Sequence, residues 1–124
     1  MKIIISNSSN KPIYEQIAYQ IRMSILNGDL KEGDSLPSIR ALAKDLKVSV
    51  ITTKRAYEDL QKENFITTVS GKGTFVSSTN KERLKEKNFK LIEQKLVECI
   101  AIAKASNITL DEFKEIVDII FEEE

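Results

Sequence analysis

The 124-residue sequence predicts a mainly α-helical chain with one small β-hairpin, followed by a two-helix tail. Three observations lead there. Isoleucines recur at four-residue spacing near the N-terminus. One run of β-branched and aromatic residues is broken by a glycine-rich turn. From residue 79 onward the chain is built largely of Lys, Glu and aliphatic residues. This length holds one ordinary domain, or a small domain plus an appendage too short for a core of its own.

Ile13, Ile17, Ile21 and Ile25 repeat at i, i+4 behind Pro12, a residue favoured at the first helical position, and Asn27-Gly28 stops the run. A helix over residues 12–27 is expected, with those isoleucines and Leu26 facing a core. After the polar turn 29–34, Ser38 offers a capping hydroxyl ahead of Ile39, Leu42, Ala43 and Leu46, which predicts a second helix over 38–46. Lys47-Val48-Ser49 is a tight connection. Ser49 caps a third helix with Ala56, Tyr57 and Leu60 inward, ending near Asn64. Residues 65–69 and 74–76 then read as strands around Ser70-Gly71-Lys72-Gly73. Three helices with short connections and a hairpin make a winged helix-turn-helix over residues 1–78.

The tail, residues 79–124, opens on Thr79 and Glu82 at capping-box spacing and predicts a helix over about 80–105. Phe89, Ile92, Leu96, Cys99, Ile100 and Ala103 line one side, yet Leu91, Val97, Ala101 and Ile102 make the other side apolar too. Such a helix must be buried from more than one direction. Thr109 and Glu112 form a second capping box ahead of a helix over 109–122, with Phe113, Ile116, Val117 and Ile120 on one face. One last helix cannot cover the long one alone. The tail is therefore expected to dimerise through Phe89, Ile92, Leu96, Ile100, Phe113, Ile116 and Ile120.

With 31% charged and 41% hydrophobic residues, and no apolar run near the ~20 that a bilayer span needs, the composition is that of a soluble protein. A cytoplasmic location and no membrane partner are expected. Net charge is zero but uneven: residues 1–78 carry 11 Lys and Arg against 8 Asp and Glu, a net +3, and residues 79–124 carry the compensating −3. Phosphate binding depends on local charge, so an acidic tail leaves a basic site intact. Cys99 is alone and histidine is absent, which argues against a disulfide, a transition-metal site and any cofactor held by such ligands. A lone cysteine on an apolar face reads as a small hydrophobe. With no histidine and no nucleophile–base pair, the chain does not read as an enzyme.

The chemistry lies at the start of the third helix and at the hairpin tip. Ser49, Thr52, Thr53, Lys54 and Arg55 bring hydroxyls and two cations to a helix N-terminus, whose amides and dipole favour phosphate. Ser49 is equally a plain N-cap, and Arg55 could instead brace the fold by pairing with Glu58, Asp59 or another acid. Gly71 and Gly73 allow close approach of the turn, and Lys72 projects a cation from it; the same pattern also suits a solvated hairpin. The spacing is not that of a P-loop.

Pro12-Ile13-Tyr14-Glu15-Gln16-Ile17, Gly33-Asp34-Ser35-Leu36-Pro37-Ser38-Ile39-Arg40-Ala41-Leu42-Ala43, Arg55-Ala56-Tyr57 and Gly71-Lys72-Gly73-Thr74-Phe75-Val76 resemble, in order, the GntR family of bacterial regulators. The likeness covers residues 12–76, and the short tail is similar to that of the YtrA-like subfamily, where it serves dimerisation. The resemblance implies DNA binding and a DNA contact for Arg40. Many relatives have Arg-Asn or Arg-Thr after the serine, but this chain has Val50-Ile51. An apolar side chain can pack on a thymine methyl and cannot hydrogen-bond guanine, so a different operator preference is expected, unless either residue packs inside. Val50 is the one expected to face DNA.

The reading that results is a homodimeric repressor on a pseudo-palindromic double-stranded DNA operator, its recognition helices about 34–36 Å apart or a multiple of that. A small-molecule effector remains open and unnamed. The alternative is a winged-helix adaptor that binds protein instead of DNA.

Overall fold

In a computed structural model the described residues are 1–78 and 81–123, and they separate into two compact units, Met1–Thr79 and Asn80–Glu124. The first unit contains α1 (Ile13–Leu26), β1 (Ser35–Leu36), α2 (Ile39–Leu46), α3 (Val50–Lys62), β2 (Ile66–Val69) and β3 (Gly73–Val76). The second contains α4 (Lys81–Ala105) and α5 (Leu110–Glu123).

The core of the first unit forms where α3 packs on α1, α2 and β2. Ile17, Ala18 and Ile21 of α1 are buried there with Leu42, Ala43, Ala56, Tyr57 and Leu60, and the sheet adds Leu36, Ile66 and Val76. Leu26 corrects the expected stripe, because it is exposed. It lies five residues beyond Ile21, about 140° around the helix, and has left the inward face. Pro12 is the N-cap, with extended backbone, and its carbonyl accepts from the amides of Glu15 and Gln16. Two glutamines of α1 fasten the segment that precedes it. Gln20 both donates to the Ile4 carbonyl (2.7 Å) and accepts from the Ile4 amide (2.9 Å), and Gln16 treats Ser6 the same way.

The sheet holds a strand that the hydrophobic pattern did not indicate. β1 pairs antiparallel with β3, Ser35 opposite Phe75 and Leu36 opposite Thr74, giving the order β1-β3-β2. Two residues are too few to show an alternation. They become a strand because β3 presents a free edge, and the pairing continues through Gly33 and Asp34, which exchange backbone hydrogen bonds with Val76. Two cross-links tie the elements of this unit together. The Tyr57 hydroxyl donates to the Pro37 carbonyl at 2.7 Å, just ahead of α2, and burial pushes its phenol up to about 12. Arg22 of α1 grips Glu63 through two 2.8 Å hydrogen bonds at the end of α3.

In the second unit α4 ends where Asn107 takes a left-handed conformation and the Ile108 amide donates to the Ala103 carbonyl. The Thr109–Glu112 capping box forms as the spacing predicts: Thr109 donates to the Glu112 carboxylate through its amide and its hydroxyl, and that hydroxyl accepts from the Glu112 amide. These bonds hold the Glu112 carboxyl below its ordinary value. The earlier capping box, Thr79 with Glu82, lies outside the described residues. Among the described residues of this unit only Ala103 is buried, and α5 buries none.

Candidate nucleic-acid interface

The start of α3 is shaped by its cap. Ser49 has extended backbone, its hydroxyl accepts from the Thr52 amide (3.0 Å) and donates to the Thr52 hydroxyl (2.7 Å). The Ser49 proton is thereby committed inside the helix turn, and Thr52 keeps its own proton for an outside acceptor. Of the two readings of Ser49, the cap is present in the structure. The amides of Val50 and Ile51 belong to the first turn and lack an intrahelical acceptor, so they too suit an anion.

Thr53 corrects the expected site. It is 0% exposed, and its hydroxyl donates to the Ser49 carbonyl at 3.1 Å. Thr53 sits four residues from Ser49, on the inward side with Ala56, Tyr57 and Leu60, so it cannot meet a ligand. Its threonine character serves the capped turn. The pattern of hydroxyls in sequence does not separate Thr52 from Thr53, whereas the helical period does.

The two cations of α3 part company. Lys54 stands 3.9 Å from Glu58 with both side chains exposed, a contact too weak to withhold its charge from a phosphate. Arg55 is exposed and lies over Tyr14 of α1, 3.8 Å from the ring centroid. Its bracing partner is thus an aromatic ring, in place of the acid that the structural alternative expected. Arg40, in the first turn of α2 behind its Ser38 cap, is exposed and has no salt-bridge or side-chain hydrogen-bond partner among the described residues.

β2 and β3 form the hairpin wing. Lys72 stands exposed at its tip, where its amide donates to the Val69 carbonyl, with Gly71 at φ +76° and Gly73 at φ +120° on either side. A side chain at Gly71 would meet nothing within 4 Å, so backbone conformation and not crowding selects glycine there. The Thr68 hydroxyl donates to Gln61 of α3 (3.3 Å), linking the wing to the helix.

Val50 and Ile51 differ in exposure. Val50 is 39% exposed, whereas Ile51, which the sequence left with the weaker case, is 80% exposed. In the tail, Phe89, Ile92, Leu96, Ile100, Ile116 and Ile120 are exposed and Phe113 is half-buried. Leu110, Ile119 and Phe121 are exposed as well, and the sequence did not single them out.

This arrangement has counterparts among known proteins. Residues 13–76 match the family of bacterial regulatory proteins, gntR family. The HTH-type transcriptional repressor YtrA of Bacillus subtilis (strain 168) is 36% identical over 113 residues, which cover 91% of this chain and 87% of that protein. Among solved structures, a transcriptional antiterminator from Listeria monocytogenes EGD-e superposes with a TM-score of 0.79 at 30% identity, covering 97% of this chain and 90% of its own. The DNA-binding domain of AraR in complex with operator ORX1 gives a TM-score of 0.55 at 25% identity, over 62% of this chain and 96% of that one. The chain is therefore a member of the gntR family, a YtrA-like transcription regulator with a winged-helix DNA-binding domain and not an enzyme.

Proposed function

We propose that this chain is a cytoplasmic repressor that binds a pseudo-palindromic operator as a homodimer, residues 1–78 reading DNA and residues 79–124 joining two copies. The observation that supports the DNA half is the start of α3, where the Val50 and Ile51 amides lack intrahelical acceptors and Lys54 is exposed, while Arg40 on α2 and Lys72 at the wing tip are exposed as well. Arg40, Lys54 and Lys72 neutralise phosphates, Ser49 keeps the turn in place, and Arg55 adds a cation steadied by Tyr14. Gly71 and Gly73 bring the wing backbone close to the duplex.

The tail supports the dimer. α5 buries no residue within one chain, and apolar side chains stand exposed along both tail helices, among them Phe89 at 57% and Phe121 at 79%. So many exposed apolar side chains on two helices call for a partner, and a second copy offers the same apolar helices in return. Phe89, Ile92, Leu96, Ile100, Phe113, Ile116 and Ile120 form the centre of that interface. A small-molecule effector would act by changing the spacing of the two reading heads.

Sedimentation combined with binding of the full chain to random and selected duplexes at two salt concentrations tests the reading. A dimer with steeply salt-dependent duplex binding is expected. A monomer at micromolar concentration removes the dimer, and absence of duplex binding at low salt leaves the protein-adaptor reading in its place. Preference for an RNA hairpin over duplex DNA would move the function to antitermination.

A further inference from the structure

Two aliphatic side chains stand at the start of α3, and nothing in the fold accounts for the more exposed of them, Ile51. Ile51 is more exposed than the other exposed large hydrophobic residues of Met1–Thr79, and Val50 lies beside it. Both are β-branched, which lowers helix propensity, and Ser49 already caps the helix. The Ile51 side chain is needed neither to start α3 nor to fill the core, and Val50 beside it is partly covered. They are flanked by groups of another kind: the Thr52 hydroxyl with its free proton, the Lys54 ammonium and the Arg55 guanidinium.

A helix that enters the major groove by its first turn meets base edges, and the C5 methyl of thymine is the apolar group displayed there. Resting on the DNA-binding reading above, we propose that Ile51, with Val50 as its neighbour, is a specificity-determining residue that selects thymine by burying this methyl. The two side chains are 100° apart on the helix, so they meet neighbouring methyls and not the same one. A cytosine at either position would present its amino group to a side chain with no acceptor, and a guanine would present two acceptors to a side chain with no donor. The apolar pair thus favours thymine by contact with its methyl, and gives the other bases no contact to offset their unpaired polar edges. The neighbouring cations hold the backbone and carry no part of this choice.

The test uses the full chain and a duplex that it selects from a random-sequence library. The selected duplex is remade with deoxyuridine replacing one thymine at a time, which removes the C5 methyl and leaves every hydrogen-bonding group. For the wild type, one or two positions per half-site should each lose about fourfold in affinity, the effect of burying one methyl-sized group. Ile51→Ala should bind the unmodified duplex about fourfold or more weakly, show no further loss at the position Ile51 covers, and keep the wild-type salt slope because no charge has changed. Val50→Ala should do the same at the adjacent position. If deoxyuridine costs nothing anywhere, or costs Ile51→Ala as much as the wild type, the proposal falls while DNA binding stands. If the wild type enriches no duplex, the DNA-binding reading falls first and takes the proposal with it.

Discussion

The guanidinium of Arg55 lies 3.8 Å from the centroid of the Tyr14 ring, joining the reading helix to the first turn of α1. Stacking engages the face of the guanidinium and leaves its N–H edges free, so one residue can brace the fold and still meet a phosphate. Arg55→Ala should lower the salt slope of duplex binding by about one. Tyr14→Leu should weaken binding with the slope unchanged. A double-mutant cycle in urea should give a coupling of about 0.5–1 kcal/mol, the range for an exposed cation–π pair. Zero coupling would show the contact to be energetically idle.

Arg40→Ala and Lys72→Ala should each weaken binding to every duplex, specific or random, and reduce the salt slope by about one. The measurement is titration of labelled duplex across a salt series. A loss confined to one operator base would assign the residue to base reading.

Tyr57→Phe should cost about 1 kcal/mol in urea unfolding through loss of the hydrogen bond to Pro37. The pH dependence has a definite sign. The folded phenol titrates at about 12 against an ordinary 10.0, so its contribution is complete below pH 10 and is lost as pH rises from 10 through 12. The difference between wild type and Tyr57→Phe should therefore shrink across that window. A constant difference would contradict the assignment.

Leu96→Asp and Ile100→Asp place a charge in the proposed tail interface and should dissociate the dimer and weaken operator binding together, since each half-site then binds without the other. Sedimentation velocity and operator titration on the same samples check this. An intact dimer in both variants would place the interface elsewhere.

Thr53→Val removes a buried hydroxyl bound to the Ser49 carbonyl. It should lower stability by about 1 kcal/mol and leave base preference alone. A changed operator preference would return Thr53 to the interface.

Much of the fold was legible because its signals are local. Four-residue spacing, capping at Ser38, Ser49 and Thr109, and the glycine turn depend on neighbours along the chain, and each produced its element. The nearly all-round apolar α4 likewise announced that one chain alone would leave it uncovered. The tertiary structure decided what depends on residues distant in sequence. β1 exists because β3 offers an edge, Ile4 and Ser6 are held because Gln16 and Gln20 reach them, and Arg55 meets Tyr14 across 41 positions. The same holds for the division between Thr52 and Thr53 and between Ile51 and Val50, adjacent residues of like chemistry. Composition treats each pair alike, whereas a 100° step around a packed helix buries Thr53 completely and leaves Ile51 in solvent.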